Sequence, residues 1–291
     1  MRKSCLRFFR AVLRRVIAIY PTRTLANALY HLFDAAHARS LSQLFYRAGA
    51  HLFYGGGPGV TGRWVVRFAG RDVIMPLRSA HSEMDWEAAV SIAGHEVPVK
   101  NTYREMLEAR AIDQFIDVGA NFGTHSLLFL AHGIPTVSFE PNAACHEYFL
   151  NACAVNGFTP HLQPVALGDI EGSIDFAYPD GQTWLGSCDP AVIEQLHGTI
   201  IRRTVPIERL DHFATEFRAT PPGRTLLKID AEGLELPILR GAGHILETLK
   251  PCILYEARDD ASRAAVKALL TKFGYSFQAV SDQDFLAVPA R

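Results

Sequence analysis

Six acids and one glycine-rich turn stand out as candidate reactive groups: Asp117, Glu140, Asp169, Asp230, Glu232 and Glu235, with Gly119-Ala120-Asn121-Phe122-Gly123. Asp117 stands just before the turn, and Glu140 follows it by 23 positions, at the end of the next apolar run. Glycine lets the main chain bend sharply and lets a ligand approach it without a Cβ in the way. An acid ending the second strand of such a unit accepts two hydrogen bonds from ribose hydroxyls. A pyrophosphate-binding fingerprint reads G-x-G-x-x-G, whereas this turn lacks the middle glycine. Asp117 also puts a negative charge at the strand tip, which repels a diphosphate and suits an ammonium. A phosphate-free nucleoside bearing an ammonium satisfies both acids, and S-adenosylmethionine is such a molecule. The plainer reading stays open beside it: the glycines only turn the chain and Asp117 caps a helix.

The later acids suggest proton transfer. Asp230 ends the apolar run Thr225–Ile229, Glu232 follows at i+2, and Glu235 begins a helix. An alcohol that attacks a methyl donor must lose its proton, so a general base is needed. Asp230 is the first candidate and Glu232 the second. Helix N-terminal capping competes for Asp230 and is the better reading of Glu235. Lys228 lies in the same apolar run; if buried it requires an acidic partner, and Asp230 shares its strand face. These acids could instead hold a divalent ion that orients a vicinal diol, but no diagnostic ligand spacing is present and no metal is assigned. Asp169 could accept from an adenine amino group, or be a solvated turn acid between Gly168 and Gly172. The loop Gly181–Ser187 carries Trp184, which either stacks on a sugar ring or packs down on the domain.

These residues must be positioned by alternating strands and helices. The pattern predicts a strand over Phe115–Val118, a helix over Ser126–Ala131 closed by Gly133, and a strand over Thr136–Glu140. A helix runs from Asn142 to about Ala154, stopped by Asn156-Gly157, and a third strand covers His161–Val165. Residues 173–206 follow no simple alternation. Then come the strand ending at Asp230, a helix over Leu236–Leu249, a strand over Pro251–Glu256 that also ends in an acid, and a helix over Ala261–Phe273. The last two strands, Ser276–Val280 and Asp284–Val288, are joined by a short turn and must pair antiparallel. The fold class is therefore α/β, a Rossmann-like and mostly parallel sheet closed by an antiparallel C-terminal hairpin. Upstream, Arg63–Phe68 and Asp72–Leu77 form a hairpin around residues 69–71. Gly55-Gly56-Gly57-Pro58-Gly59 marks a linker, dividing a helical extension over residues 1–58 from a main domain over 59–291.

The bulk composition narrows the function classes. With 48% hydrophobic and 20% charged residues and a net charge of −1, the chain has no global drive towards nucleic acid, and no nucleic-acid partner is expected. None of the five cysteines is closely paired, which favours a reducing, cytoplasmic setting over a disulfide or zinc framework. No apolar run approaches the roughly 20 residues of a spanning helix. The extension is distinct: from Met1 to Phe33 it has seven bases and no acid, with Leu6, Phe9, Leu13, Val16, Ile17 and Tyr20 on one helical face. It reads as a helical cap, as a basic helix lying on anionic lipid through residues 1–20, or as a cleavable targeting peptide. Nothing in the sequence sets the oligomeric state.

Together, Phe115-Ile-Asp-Val-Gly-Ala-Asn-Phe-Gly123, Phe139-Glu-Pro141, Ala166-Leu-Gly168 and Leu227-Lys-Ile-Asp-Ala-Glu-Gly-Leu-Glu235 resemble the FkbM-family methyltransferases in order and spacing. The resemblance covers roughly residues 61–289. It implies a class I methyltransferase fold, S-adenosylmethionine as donor, and O-methylation of a hydroxyl on a sugar, glycan or natural product. By that resemblance Asp117, Gly119, Asn121 and Gly123 line the donor site, Ala120 lies within it and Glu140 meets the ribose. His125 falls just past the turn, where donor and acceptor pockets should meet, and is a catalytic candidate beside a packing or capping role. The strand end Ile229-Asp-Ala-Glu232 argues against a base-modifying amino-methyltransferase, which typically carries an N/D-P-P-Y-type sequence there. Two other classes stay open: a nicotinamide-dependent oxidoreductase and a non-catalytic nucleoside-binding module.

Overall fold

The structure is a computed structural model that describes residues 62–77 and 96–290, with the isolated positions Val12, Val16, Ile19, Leu25 and Ala28. Apart from those positions, the basic arm expected over 1–58 and its lipid contact through 1–20 lie outside the described residues. The chain divides into two compact units, residues 1–100 with 151–158 and residues 101–150 with 159–291. The hairpin expected to open the main domain falls in the first unit, and the 58/59 boundary itself is outside the described residues.

In the first unit, β1 (Gly62–Phe68) and β2 (Arg71–Leu77) pair antiparallel. Ala69 and Gly70, with φ of 46° and 80°, form the two-residue turn between them, a left-handed pair that matches strand twist. Alternation buries Trp64, Val66 and Phe68 on one strand and Val73 and Met75 on the other. The Asn156 carboxamide meets the backbone of Ile74 twice, accepting from its N–H and donating to its carbonyl, each at 2.7 Å.

The second unit is built on a seven-stranded sheet of order β11-β12-β10-β9-β3-β4-β5. Its strands are β3 (Gln114–Val118), β4 (Thr136–Phe139), β5 (Leu162–Gln163), β9 (Thr225–Ile229), β10 (Cys252–Glu256), β11 (Tyr275–Ala279) and β12 (Asp284–Pro289). Neighbours from β5 to β10 run parallel, while β12 runs antiparallel to both β10 and β11. This is the mostly parallel, hairpin-closed sheet that the resemblance implies. All residues of β3, β4 and β9 are buried, as expected where helices cover both faces. The helices are α1 (Val97–Glu108), which bridges the two units in sequence, α2 (Thr124–Ala131), α3 (Ala143–Asn156), α4 (Pro190–Ile193), α5 (Glu235–Arg240), α6 (Gly243–Thr248) and α7 (Asp260–Lys272). Among the described residues, no helix is long and apolar enough to cross a membrane.

Three expectations change. The third strand is only Leu162–Gln163, because Pro164 follows and has no N–H to continue the ladder. The chain leaves for a second sheet, in which β6 (Ala166–Leu167) and β7 (Gly172–Pro179) flank β8 (Ile200–Glu208). The single helix expected over 236–249 is two, α5 and α6. Between them a Cβ on Gly241 would collide with the Gly168 carbonyl. Asp211 caps α6 by accepting from His244 and Ile245 N–H at 2.9 and 3.0 Å. Lastly, α1 forms where the sequence reading assigned no element.

In the main sheet β3 lies between β4 and β9, so the connection after β3 goes one way and the returning chain arrives on the other side. The crevice beyond the carboxyl ends at such a reversal is where open α/β sheets take their ligands. Asp117 and Asp230 stand at the ends of β3 and β9, on either side of it.

Candidate active site

The turn after β3 is organised by its own main chain. Gly119 and Ala120 both donate their N–H to the Phe139 carbonyl at 3.0 Å, and Gly123 donates to Ala120 at 2.7 Å. Asn121, at φ 48°, donates its N–H to Glu140 Oε2 at 2.7 Å. With these amides committed internally, they make no phosphate cradle of the kind a dinucleotide requires. The glycines also serve their neighbours: a Cβ on Gly119 would collide with the Asp230 carbonyl, and one on Gly123 with the Phe149 ring. Both sit at positive φ, 78° and 72°.

The two acids of this half are buried. Asp117 is fully inaccessible. Its Oδ2 accepts from Ser126 Oγ at 2.6 Å, while Oδ1 has no partner. Glu140 accepts from Asn121 N–H through one oxygen and from Asn142 N–H through the other, both at 2.7 Å. Each oxygen keeps a further lone pair for a hydroxyl. Burial, outweighing those two amide bonds and aided by the charges of Asp117 and Asp230, pushes the Glu140 carboxyl up to about 7. Asn142 contributes a buried Nδ2 that has no partner. The Asn121 side-chain oxygen accepts from Cys145 Sγ at 3.0 Å and from Thr183 Oγ1 at 3.1 Å. Burial pushes the Cys145 thiol up, so it stays protonated and able to donate.

The other half gathers at the ends of β9 and β10 and is organised by charge. Lys228 is buried, and its ammonium donates to Asp230 Oδ2 at 3.0 Å, the pairing its position in the apolar run requires. Glu232, at φ 50°, is bridged by Arg258. Burial and the nearby Asp230 charge raise the Glu232 carboxyl, with Arg258 opposing. Glu256 completes the group: burial, the charges of Asp230, Glu232 and Asp284, and a hydrogen bond with Asp230 push it up to about 8. Oxygens of Asp230, Glu232 and Glu256 lie within 4.8 Å of one another, a separation at which carboxylates can share either a proton or a divalent cation. Glu235 accepts from Ala231 and Gly233 N–H at 3.1 and 3.2 Å, tying down the turn before α5.

Two candidates have other partners. His125 is 8% exposed, and its Nδ1 is 2.8 Å from the Tyr103 hydroxyl, with the two rings packed edge to face. Asp169 is half-exposed in the turn after β6 and faces Arg240 at 3.9 Å. Sequence reasoning gave no role to Glu256, Asn142, Thr183 or Ser187. A strand-ending acid was the available signal for Glu256, and a polar residue just past Glu140-Pro141 the one for Asn142. Thr183 and Ser187 had none, since they meet the site only through the tertiary fold.

The family described as methyltransferase FkbM domain matches residues 117–277 of the chain. Among solved structures, the chain is similar to methyltransferase FkbM from Methylobacillus flagellatus KT, at 14% identity over 71% of this chain and 54% of that one, with a TM-score of 0.43. It is similar to the tRNA (uracil-54, C5)-methyltransferase of Pyrococcus abyssi in complex with S-adenosyl-L-homocysteine, at 10% identity over 78% and 43%, with a TM-score of 0.36. A ribosomal protein L11 methylase from Lactobacillus delbrueckii subsp. bulgaricus follows at 11% identity over 68% and 80%, with a TM-score of 0.37. The chain thus spans about half the length of the first two, 54% and 43%. No curated protein matches it.

Proposed function

The chain belongs to the FkbM methyltransferase family, and from that premise we propose that it methylates a hydroxyl of a sugar, glycan or natural product, with Asp230 receiving the hydroxyl proton. S-adenosylmethionine is the cofactor; when bound, it supplies a methyl group on a positively charged sulfur. The observation that carries the reading is the unpartnered Oδ1 of Asp117, a buried acceptor whose carboxylate charge reaches Glu140. That atom suits an ammonium, the free lone pairs of Glu140 suit two ribose hydroxyls, and Asn142 Nδ2 offers a donor to the same nucleoside. The pocket acids favour a cation, and four of the five amides of the turn are already committed within the protein, which disfavours a diphosphate.

Within this proposal the chain does three things. Asp117, Glu140 and the Gly119–Gly123 turn hold and orient the donor, which converts a bimolecular encounter into an aligned displacement. Asp230 takes the acceptor's proton, while Lys228 holds its Oδ2 and fixes the carboxylate. Glu232, with Arg258, is the second acid able to receive that proton. A small-molecule or glycan acceptor, rather than nucleic acid, is part of the reading.

Calorimetry with S-adenosylhomocysteine and with NADH tests the donor half: saturable binding of the first is expected, and binding of NADH alone would overturn it. Labelled donor, incubated with separate glycan, lipid and RNA extracts, tests the acceptor; label entering RNA alone refutes the hydroxyl-bearing small acceptor. With an acceptor in hand, Asp230→Asn should lower methyl transfer about 10²- to 10⁴-fold, the usual contribution of a positioned base, with donor affinity within about threefold of wild type. Unchanged turnover removes Asp230 as the base.

A further inference from the structure

The segment between β7 and β8 is fastened at two points. Thr183, 9% exposed in a 3-10 turn over Thr183–Leu185, donates its hydroxyl to Asn121 Oδ1 at 3.1 Å. Ser187, 1% exposed, donates to the Glu232 carbonyl at 2.7 Å and accepts from Asp189 N–H at 2.9 Å. Its backbone also pairs with Ala177 in both directions at 3.0 Å. Gly186, between the anchors, leaves no room for a Cβ, which would meet the Phe176 ring. Asn121 follows β3 and Glu232 follows β9, and those strands are adjacent and parallel. The stretch Thr183–Ser187 is therefore a strap from one carboxyl end to the other, across the crevice.

Asn121 is the junction. Its side-chain oxygen receives Thr183 and Cys145, while its amide holds Glu140 at 2.7 Å. Its left-handed backbone is a conformation that asparagine tolerates better than most residues but that still needs support. A change at Thr183 is thus one hydrogen bond from Asn121 and two from the acid assigned to the ribose.

We propose that Thr183 is a positioning residue for the donor: it fixes Asn121, whose amide orients Glu140, so that donor and strap bind as one unit. The inference rests on the donor reading above. A donor held by Glu140 stiffens the strap, and with it Trp184, the residue next to Thr183; a strap loosened at Thr183 weakens the donor. The acceptor-facing loop is then set only once the donor is in place.

The test uses the full chain, S-adenosylhomocysteine as probe, and three readouts: calorimetric affinity, tryptophan emission and melting temperature. Thr183→Val removes the hydroxyl and keeps the shape, and should weaken the probe about tenfold, the effect of one lost buried hydrogen bond. Thr183→Ser should restore affinity to within about twofold, since it restores the donor group. The emission change on binding should be absent in Trp184→Phe and reduced in Thr183→Val, with the melting temperature of Thr183→Val lowered by only a few degrees, as one lost hydrogen bond requires. Wild-type affinity in Thr183→Val, no rescue by serine, or a wild-type emission response in Trp184→Phe each overturns the coupling. A wild-type chain that fails to bind the probe overturns the donor reading itself, so the two failures are distinguishable.

Discussion

At the end of β4, Glu140 is held by the main chain, with one amide on each oxygen. At the ends of β9 and β10 the arrangement is the opposite. Asp230 is held by Lys228, Glu232 by Arg258, and Glu256 by the proton it retains beside Asp230. A carboxyl gripped by amides stays put as pH or ligand changes, because amides do not titrate. A carboxyl gripped by charges keeps its place only while the charges last. The half proposed to hold the donor is thus a fixed mould and the acid half a responsive one.

The largest effect should come from the mould. Gly119→Ala drives a Cβ into the Asp230 carbonyl at a left-handed backbone position, and should cost about 4 kcal/mol or more of stability, read from urea denaturation. A variant that unfolds at the wild-type midpoint would break the comparison at once. Lys228→Met should be next, at about 2 kcal/mol, less than a fully buried pair gives because the Asp230 side chain is 28% exposed. Thermal melting checks this. A variant as stable as the wild type would mean that charge pairing does not hold the acid half.

The finest test concerns titration. Glu140 ionises at about 7 in the fold against 4.5 as its ordinary value, so the folded state binds the extra proton between those values. Stability of the ligand-free chain should therefore fall as pH rises from about 4.5 to about 7, and Glu140→Gln should flatten that slope. Donor affinity should move the other way, tightening by up to about tenfold per pH unit on approaching neutrality as the carboxylate becomes available to hydroxyls. Calorimetry across this range reads both; an affinity independent of pH in the wild type would remove Glu140 from the site.

The same contrast explains what the sequence revealed. Asp117, the glycine turn and Glu140 belong to one strand–helix–strand unit, where spacing along the chain is spacing in the fold, and so they could be read directly. Lys228 and Asp230 are two apart on one strand face, which is also local. Glu256, Arg258, Thr183 and Ser187 reach the site from other strands and loops, and no period within a window of residues records that meeting. The helix break at Gly241 was hidden for the same reason: its cause is the Gly168 backbone and a cap from Asp211, both far along the chain. Pro164, in contrast, was a local signal against extending the third strand.

Asp230 acts on carboxyls in both halves at once: its charge lifts Glu140 as well as Glu232, Glu235 and Glu256. Glu140 and Glu256, lifted to about 7 and about 8, are therefore the carboxyls from which a proton is most readily displaced, and a cation bound beside Asp230 would draw acid out of the crevice as it arrives.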